Sequence, residues 1–298
     1  MPQRAASPTT NGDQHGRTDI PPRVLLDWKA AKIFAEKNLI ISLRYPANII
    51  VWGVVPILWL APYVLMMTAL SGSAGTIRFQ ELSGFDNFVK FAIVGWFVYQ
   101  YVDNAIWSIG NNFRWEQFSG TLEPLFVAPV SRVSILLGAA ISDTVFTTLS
   151  AVVLLGTSCV LFGVSYSFVM VAPVILTLLL MLFALFGFGF MVAGLILVFK
   201  DPSVLTQLVD TVTFTVTPVN YPVQALPPYA RFLAYLVPAT IAMEVIRHLL
   251  IDAYIEMSVF LTSIMFLLLL LVGFWVVGLA AFRYAERWTK ERGSMGGF

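Results

Sequence analysis

The fold class this sequence predicts is an all-α integral membrane protein with six transmembrane helices and both ends on the cytosolic side. Three observations predict it. Of the 298 residues, 58% are hydrophobic and 12% charged, whereas soluble domains carry roughly 25% charged residues. Six apolar segments follow one another, and a helix needs about 20 apolar residues to cross ~30 Å of hydrocarbon. With the N-terminus inside, 14 of the 18 Lys and Arg residues fall on the cytosolic side, the asymmetry expected of an N-in, C-in chain. The net charge of +1 sets up no global field for a nucleic-acid partner. The single cysteine, Cys159, makes no intrachain disulfide.

Residues 1–23 are polar, without the apolar core of a signal peptide, and are expected to form a disordered cytosolic tail. Residues 24–298 are expected to form one transmembrane domain. Its first stretch, 24–44, sets Leu25, Trp28, Ala31, Ile33, Phe34, Leu39 and Ile40 at helical spacing, with Lys29, Lys32, Glu36 and Lys37 between them. That pattern predicts an amphipathic helix, either lying at the membrane interface or packed on the protein's own cytosolic side.

The predicted spans are 49–70, 88–110, 133–161, 168–199, 204–221 and 257–282. Unpaired backbone groups are not tolerated in lipid, so all six are assigned as helices despite Pro56, Pro62 and the β-branched residues of the fifth. The connection between the fifth and sixth, 222–256, is too rich in proline to span cleanly and too apolar for a free loop. Two short re-entrant external helices are predicted there, Tyr229–Leu236 and Ala239–Ile251, with Pro238 at the start of the second. Leu70-Ser71-Gly72 and Leu82-Ser83-Gly84 are read as loop residues.

One polar, amphipathic stretch interrupts the apolar sequence between the second and third spans, at 111–138. Glu116 and Glu123 are seven residues apart, so they share a helix face. Trp115, Phe118, Leu122, Leu125 and Phe126 supply an apolar surface beside them. Gly120 is a place to bend and Pro129 a place to stop. These residues are either a contact for a protein in the aqueous phase or a solvated loop.

Within the spans, Asp103, Asp143 and Asp210 are ionisable groups in an expensive place. They either line a pathway for a cationic or hydroxylated solute or bond to neighbouring helices. The aromatic residues Trp52, Trp59, Tyr63, Trp96, Tyr99, Tyr101, Trp107, Phe214 and Tyr221 are a lining surface or ordinary packing and interfacial belts. Glu244, Arg247 and His248 sit one turn apart in the second external helix, with Glu244 and His248 as an i, i+4 pair. Two histidines in the whole chain argue against a metal centre. Gly187, Gly189, Ala193 and Gly194 in the fourth span, and Gly273 and Gly278 in the sixth, offer close helix packing.

Taken together, these features resemble the permease subunit of an ATP-binding-cassette (ABC) exporter of the type-2 family. The resemblance is carried by the amphipathic helix before the first span and by Glu116 followed by Gly120-Thr121-Leu122-Glu123, Leu125 and Pro129. It is also carried by the six spans, and by Thr217-Pro218-Val219 and Tyr221-Pro222 leading through Leu226-Pro227 to Val237-Pro238-Ala239-Thr240. It implies that 111–132 holds a coupling helix, with Glu116, Gly120, Thr121, Leu122, Glu123 and Pro129 meeting a cassette ATPase present in two copies. It implies a second permease chain, identical or homologous. Trp52, Trp59, Tyr99, Asp103, Asp143, Asp210 and Phe214 would lie along the substrate pathway. Tyr221, Pro222, Glu244 and Arg247 would stand at the outer gate. ATP and Mg would bind the partner ATPase and no cofactor this chain, which has no Gly-Lys dipeptide and hence no Walker A loop. A multi-pass protein of the bacterial inner membrane is implied, surrounded by lipid and exporting a drug-like or lipid-linked amphipathic compound. A polysaccharide or glycolipid exporter of the same type is one alternative, and a proton-coupled secondary transporter is another. An intramembrane enzyme is disfavoured, since no His-Glu-x-x-His occurs.

Overall fold

The computed structural model describes residues 27–70, 72–118, 120, 131–198 and 202–291, and every regular element among them is helical. The predicted tail, 1–23, lies outside the described residues.

Helix α1 (Trp28–Leu43) begins where the sequence offers a cap. The Asp27 carboxylate accepts from the backbone N–H groups of Lys29 and Ala30 at 3.0 and 3.2 Å. The Asp27 N–H in turn donates to Ser134 Oγ at 2.7 Å, which ties the start of α1 to α5 (Arg132–Phe162). The stripe α1 buries is narrow: Ala31 and Phe34, against Ile135, Gly138 and Ala139 of α5. Trp28, Ile33, Ile40, Ile41 and Leu43 remain exposed. The helix therefore packs on its own chain along one edge and keeps an apolar surface turned outward.

Four helices are long and apolar enough to cross a membrane: α2 (Pro46–Leu70), α5, α6 (Val171–Val198) and α10 (Met257–Glu291). They match the first, third, fourth and sixth predicted spans. Helix α2 starts on Pro46, which is tolerated at a first turn, and runs through Pro56 and Pro62. Helix α5 closes on Gly163 at φ 62°, the left-handed position that favours glycine.

The second predicted span has a different character. Helix α4 (Phe88–Phe118) covers it and continues past 110, but it is not among the helices apolar enough to cross alone. It is instead the centre of the molecule, buried without interruption from residue 91 to 99. Helices α2, α5, α6, α7 and α9 all pack against it. The loop reading of Leu70-Ser71-Gly72 and Leu82-Ser83-Gly84 is corrected: Leu70 ends α2, Gly72–Ser83 form helix α3, which ends at Gly84 with φ 78°, and Ser71 lies outside the described residues. Phe79 of α3 lies edge-on to Phe88 and Phe91 of α4 at 5.5 and 5.3 Å, so ring contacts with α4 hold this polar helix in place.

The fifth predicted span is also shorter than expected. Helix α7 (Pro202–Val216) has 15 residues, about 22 Å at 1.5 Å per residue, against ~30 Å of hydrocarbon. The chain leaves the helix at Thr217. A 3₁₀ turn (Val223–Ala225) leads into α8 (Pro228–Leu236) and α9 (Pro238–Arg247), each opening on a proline. Helix α9 continues as a π-helical turn through His248–Asp252. Together α8 and α9 form a pair bent by 90°, which makes a fifth span if counted as one. The two short helices predicted here are thus present at nearly the predicted bounds.

Helix α10 packs mainly on α6, and the contact is made by glycine. A Cβ on Gly278 would lie 2.1 Å from the Gly187 carbonyl oxygen, and one on Gly187 would meet Phe274 carbonyl carbon at 2.7 Å. Gly194 approaches Phe282 with the same economy of space, but a Cβ on Gly273 would meet nothing within 4 Å. Gly273 is therefore not a packing residue in this chain. Gly278→Val is expected to cost about 2 kcal/mol or more through overpacking, read as a lower Tm in detergent. Gly273→Val should leave the Tm unchanged, and equal effects at the two positions would contradict this packing.

Candidate functional site: the uncovered face of helix α4

Phe97, Val98, Tyr101, Val102, Ala105 and Ile106 of α4 are buried. Gln100, Asp103, Asn104, Trp107 and Ser108 are half-buried, and at 3.6 residues per turn they fall on one side of the helix. The side of α4 that its own chain covers only in part is thus its polar side. Hydrocarbon favours the opposite arrangement. The amide nitrogens of Gln100 and Asn104, one turn apart, are covered yet donate to no group among the described residues. Such donors are expensive to leave unmatched.

Two carboxylates frame this face from neighbouring helices. Asp210 of α7 accepts from the Tyr99 hydroxyl of α4 at 2.6 Å. Asp143 of α5 accepts from the Ser108 hydroxyl of α4. Ser142 also reaches Asp143, at 3.5 Å, while the neighbouring Thr144 bonds to the Ala140 carbonyl of its own helix. Asp103 lies one turn on from Tyr99, within electrostatic reach of Asp210. Two of the three intramembrane acids therefore tie helices together, and Asp103 has no hydrogen bond among the described residues.

At one end of this face, aromatic rings converge from three helices. Trp96 of α4 lies 5.7 Å from Trp59 of α2 and 5.4 Å from Phe214 of α7, and Phe214 lies 5.0 Å from Tyr99. The Trp96 indole N–H donates to Asn220 Oδ1 at 3.0 Å. Trp59, Tyr99, Asp103, Asp210 and Phe214 thus lie near one another. Trp52, two turns before Trp59 on α2, is exposed and stands apart from them. Asn220 was missed. Its place beside Tyr221-Pro222 was the only signal in the sequence.

The expected outer-gate residues do not form one group. The Tyr221 hydroxyl donates back to the Thr215 carbonyl, and Pro222 is buried before the 3₁₀ turn. Glu244 shares a hydrogen bond with Tyr235 of α8. His248 pairs with Asp252 at 2.8 Å, and Glu244 lies within electrostatic reach of both Arg247 and His248. Arg247 is buried at 1% exposure. It turns inward and donates to the carbonyls of Phe91, Pro218 and Val219 rather than to a carboxylate.

Of the residues expected to meet an ATPase, Glu116 falls in the last turn of α4, and Gly120 sits in an exposed turn at φ 69°. Thr121, Leu122, Glu123 and Pro129 lie outside the described residues. Among the described residues, no three His, Cys, Asp or Glu side chains are grouped to hold a metal ion.

A family model described as "ABC-2 type transporter" matches residues 30–251, which include the whole of this face and both external helices. No curated protein matches the chain.

The Tyr99–Asp210 bond links α4 to α7 inside the membrane, where such contacts average about 0.6 kcal/mol and reach roughly 1.7. A double-mutant cycle of Tyr99→Phe with Asp210→Asn, followed by unfolding in mixed detergent, should return a coupling energy in that range. Strict additivity would mean that the two helices are not joined there.

Proposed function

We propose that this chain, which belongs to the ABC-2 type transporter family, is the permease subunit of an ATP-driven exporter and works with a separate cassette ATPase. The observation that carries the pathway is the uncovered polar face of α4. A membrane helix with Gln100, Asp103 and Asn104 on its open side is unsuited to lipid and suited to a second protein chain or a passage for solute. A second permease chain, identical or homologous, would close that face off from lipid and leave a polar seam between the two.

The solute this seam fits is amphipathic, a drug-like or lipid-linked compound. Trp59, Trp96, Tyr99 and Phe214 offer rings at one end. Asp103 offers a carboxylate for a cationic or hydroxylated group. In the N-in, C-in orientation favoured by the Lys and Arg distribution, the ring cluster lies toward the outer end of the seam. The segment 111–132 then faces the cytosol of a bacterial inner membrane. There, Glu116 and 120–129 form the coupling contact with one of two ATPase copies. Those copies bind ATP and Mg, and their closure moves the spans through this contact.

Co-purification tests the coupling. The tagged chain, expressed with a cassette ATPase from the same source, should carry ATPase activity through purification in detergent. Glu123→Arg should lower that activity at least tenfold. A chain that purifies alone and moves solute into liposomes without ATP would overturn the exporter reading. Within an active complex, Asp103→Asn should reduce efflux of a fluorescent lipophilic cation by about tenfold, equivalent to ~1.4 kcal/mol. Unchanged efflux would remove Asp103 from the pathway.

A further inference from the structure

The short helix α7 stops at Val216, and the next carbonyls lie beyond the reach of its ladder. Thr217 N–H still bonds to Thr213, and Val219 N–H turns back to Thr217, at 2.9 and 2.8 Å. The carbonyls of Pro218 and Val219 are then left pointing into the interior, where an unmatched acceptor is not tolerated. Both are taken by Arg247 Nη2 at 2.8 Å. Arg247 Nε donates to the Phe91 carbonyl of α4 at 3.2 Å, and its guanidinium lies 3.4 Å above the Phe91 ring.

One side chain of α9 therefore joins α4 to the break after α7, and the fit around it is close. A Cβ on Gly95 would stand 2.2 Å from the Val219 oxygen and 2.7 Å from Arg247 Nη2. The residues next to this contact, Trp96 and Asn220, bond to each other. The planar fork of arginine is what serves several carbonyls at once, and a lysine ammonium on its flexible stem does not reproduce that geometry.

We propose that Arg247 is a positioning residue that locks the break after α7 onto α4, so that the outer end of α4, the break and α9 move as one body during transport. The ring cluster at Trp96 and the bend between α8 and α9 then keep a fixed relation to each other, and any opening must occur elsewhere. The consequence for transport rests on the permease reading, but the lock itself does not.

Hydrogen exchange of the full chain in nanodiscs with its cassette ATPase, followed by mass spectrometry, tests the lock without a known substrate. Arg247→Met removes the donors. Gly95→Ala keeps the guanidinium but displaces the Val219 carbonyl. Both should raise exchange over residues 217–222 at least tenfold while α6 and α10 exchange as in the unmodified chain, with Arg247→Lys in between. In the same samples, ATP hydrolysis should continue while efflux of a fluorescent lipophilic cation falls at least fivefold. Unchanged exchange over 217–222 in a folded variant overturns the proposal. So does exchange that rises equally in every helix, efflux that persists with the break loosened, or failure of every variant to accumulate. If the unmodified complex shows no ATP-dependent efflux, the exporter reading fails, and the exchange pattern alone decides whether the lock exists.

Discussion

A polar group carried into hydrocarbon is costly without a partner, and the arrangement of this chain follows from how one helix limits that cost. Helix α4 has Gln100, Asp103, Asn104 and Ser108 within nine residues, and no lipid-facing position would accept it. The fold places it at the centre, with α2, α5, α6, α7 and α9 around it. Helix α10 is the opposite case. Its span is largely apolar and leaves Leu261, Met265, Leu269, Val272 and Val276 exposed, and it is attached to α6 through close glycine contacts, ring contacts and the Trp275 indole bond to the Phe183 carbonyl. The polarity of a helix thus sets its distance from lipid, and the order of the chain matters much less.

What lipid dictates was legible in the sequence. Helices α2, α5, α6 and α10 announce themselves because every face that lipid touches must be apolar over ~20 residues. The prolines at 228 and 238 marked the external helices because proline is accepted at a helix start. What tertiary contact dictates was hidden. Pro218, Asn220 and Pro222 mark a break after α7, but nothing local says what satisfies the carbonyls it exposes. They are satisfied by an arginine 28 and 29 residues further on. Helix α3 was lost in the same way, since its polar sequence gains a reason to be helical only when Phe79 meets α4.

The candidate site divides along the same line. That Asp103, Asp143 and Asp210 would matter could be read from their residue type alone. Their partners could not, because Tyr99 is 111 residues from Asp210 and Ser108 is 35 from Asp143. Helical spacing pointed to Glu244 and His248, but an i, i+4 pair contributes only a few tenths of a kcal/mol. Spacing alone does not choose among partners: His248 bonds to Asp252, itself four residues on, while Glu244 bonds to Tyr235 and keeps His248 within electrostatic reach.

Two classes of intramembrane polar group emerge, and they are suited to different work. Asp143, Asp210 and Arg247 have their hydrogen-bonding groups engaged across helix contacts, so moving their helices apart breaks bonds that nothing nearby replaces. Such groups resist motion. Asp103 has no bond to lose among the described residues, and the covered amide nitrogens of Gln100 and Asn104 have none either. A solute that bonds to them removes a standing penalty rather than competing with an existing partner. The second class sits on the uncovered face of α4, between the bonds that tie α4 to α5 and to α7. The fixed groups therefore hold the walls of the face in place, and the groups between them keep hydrogen-bonding capacity that no described residue meets.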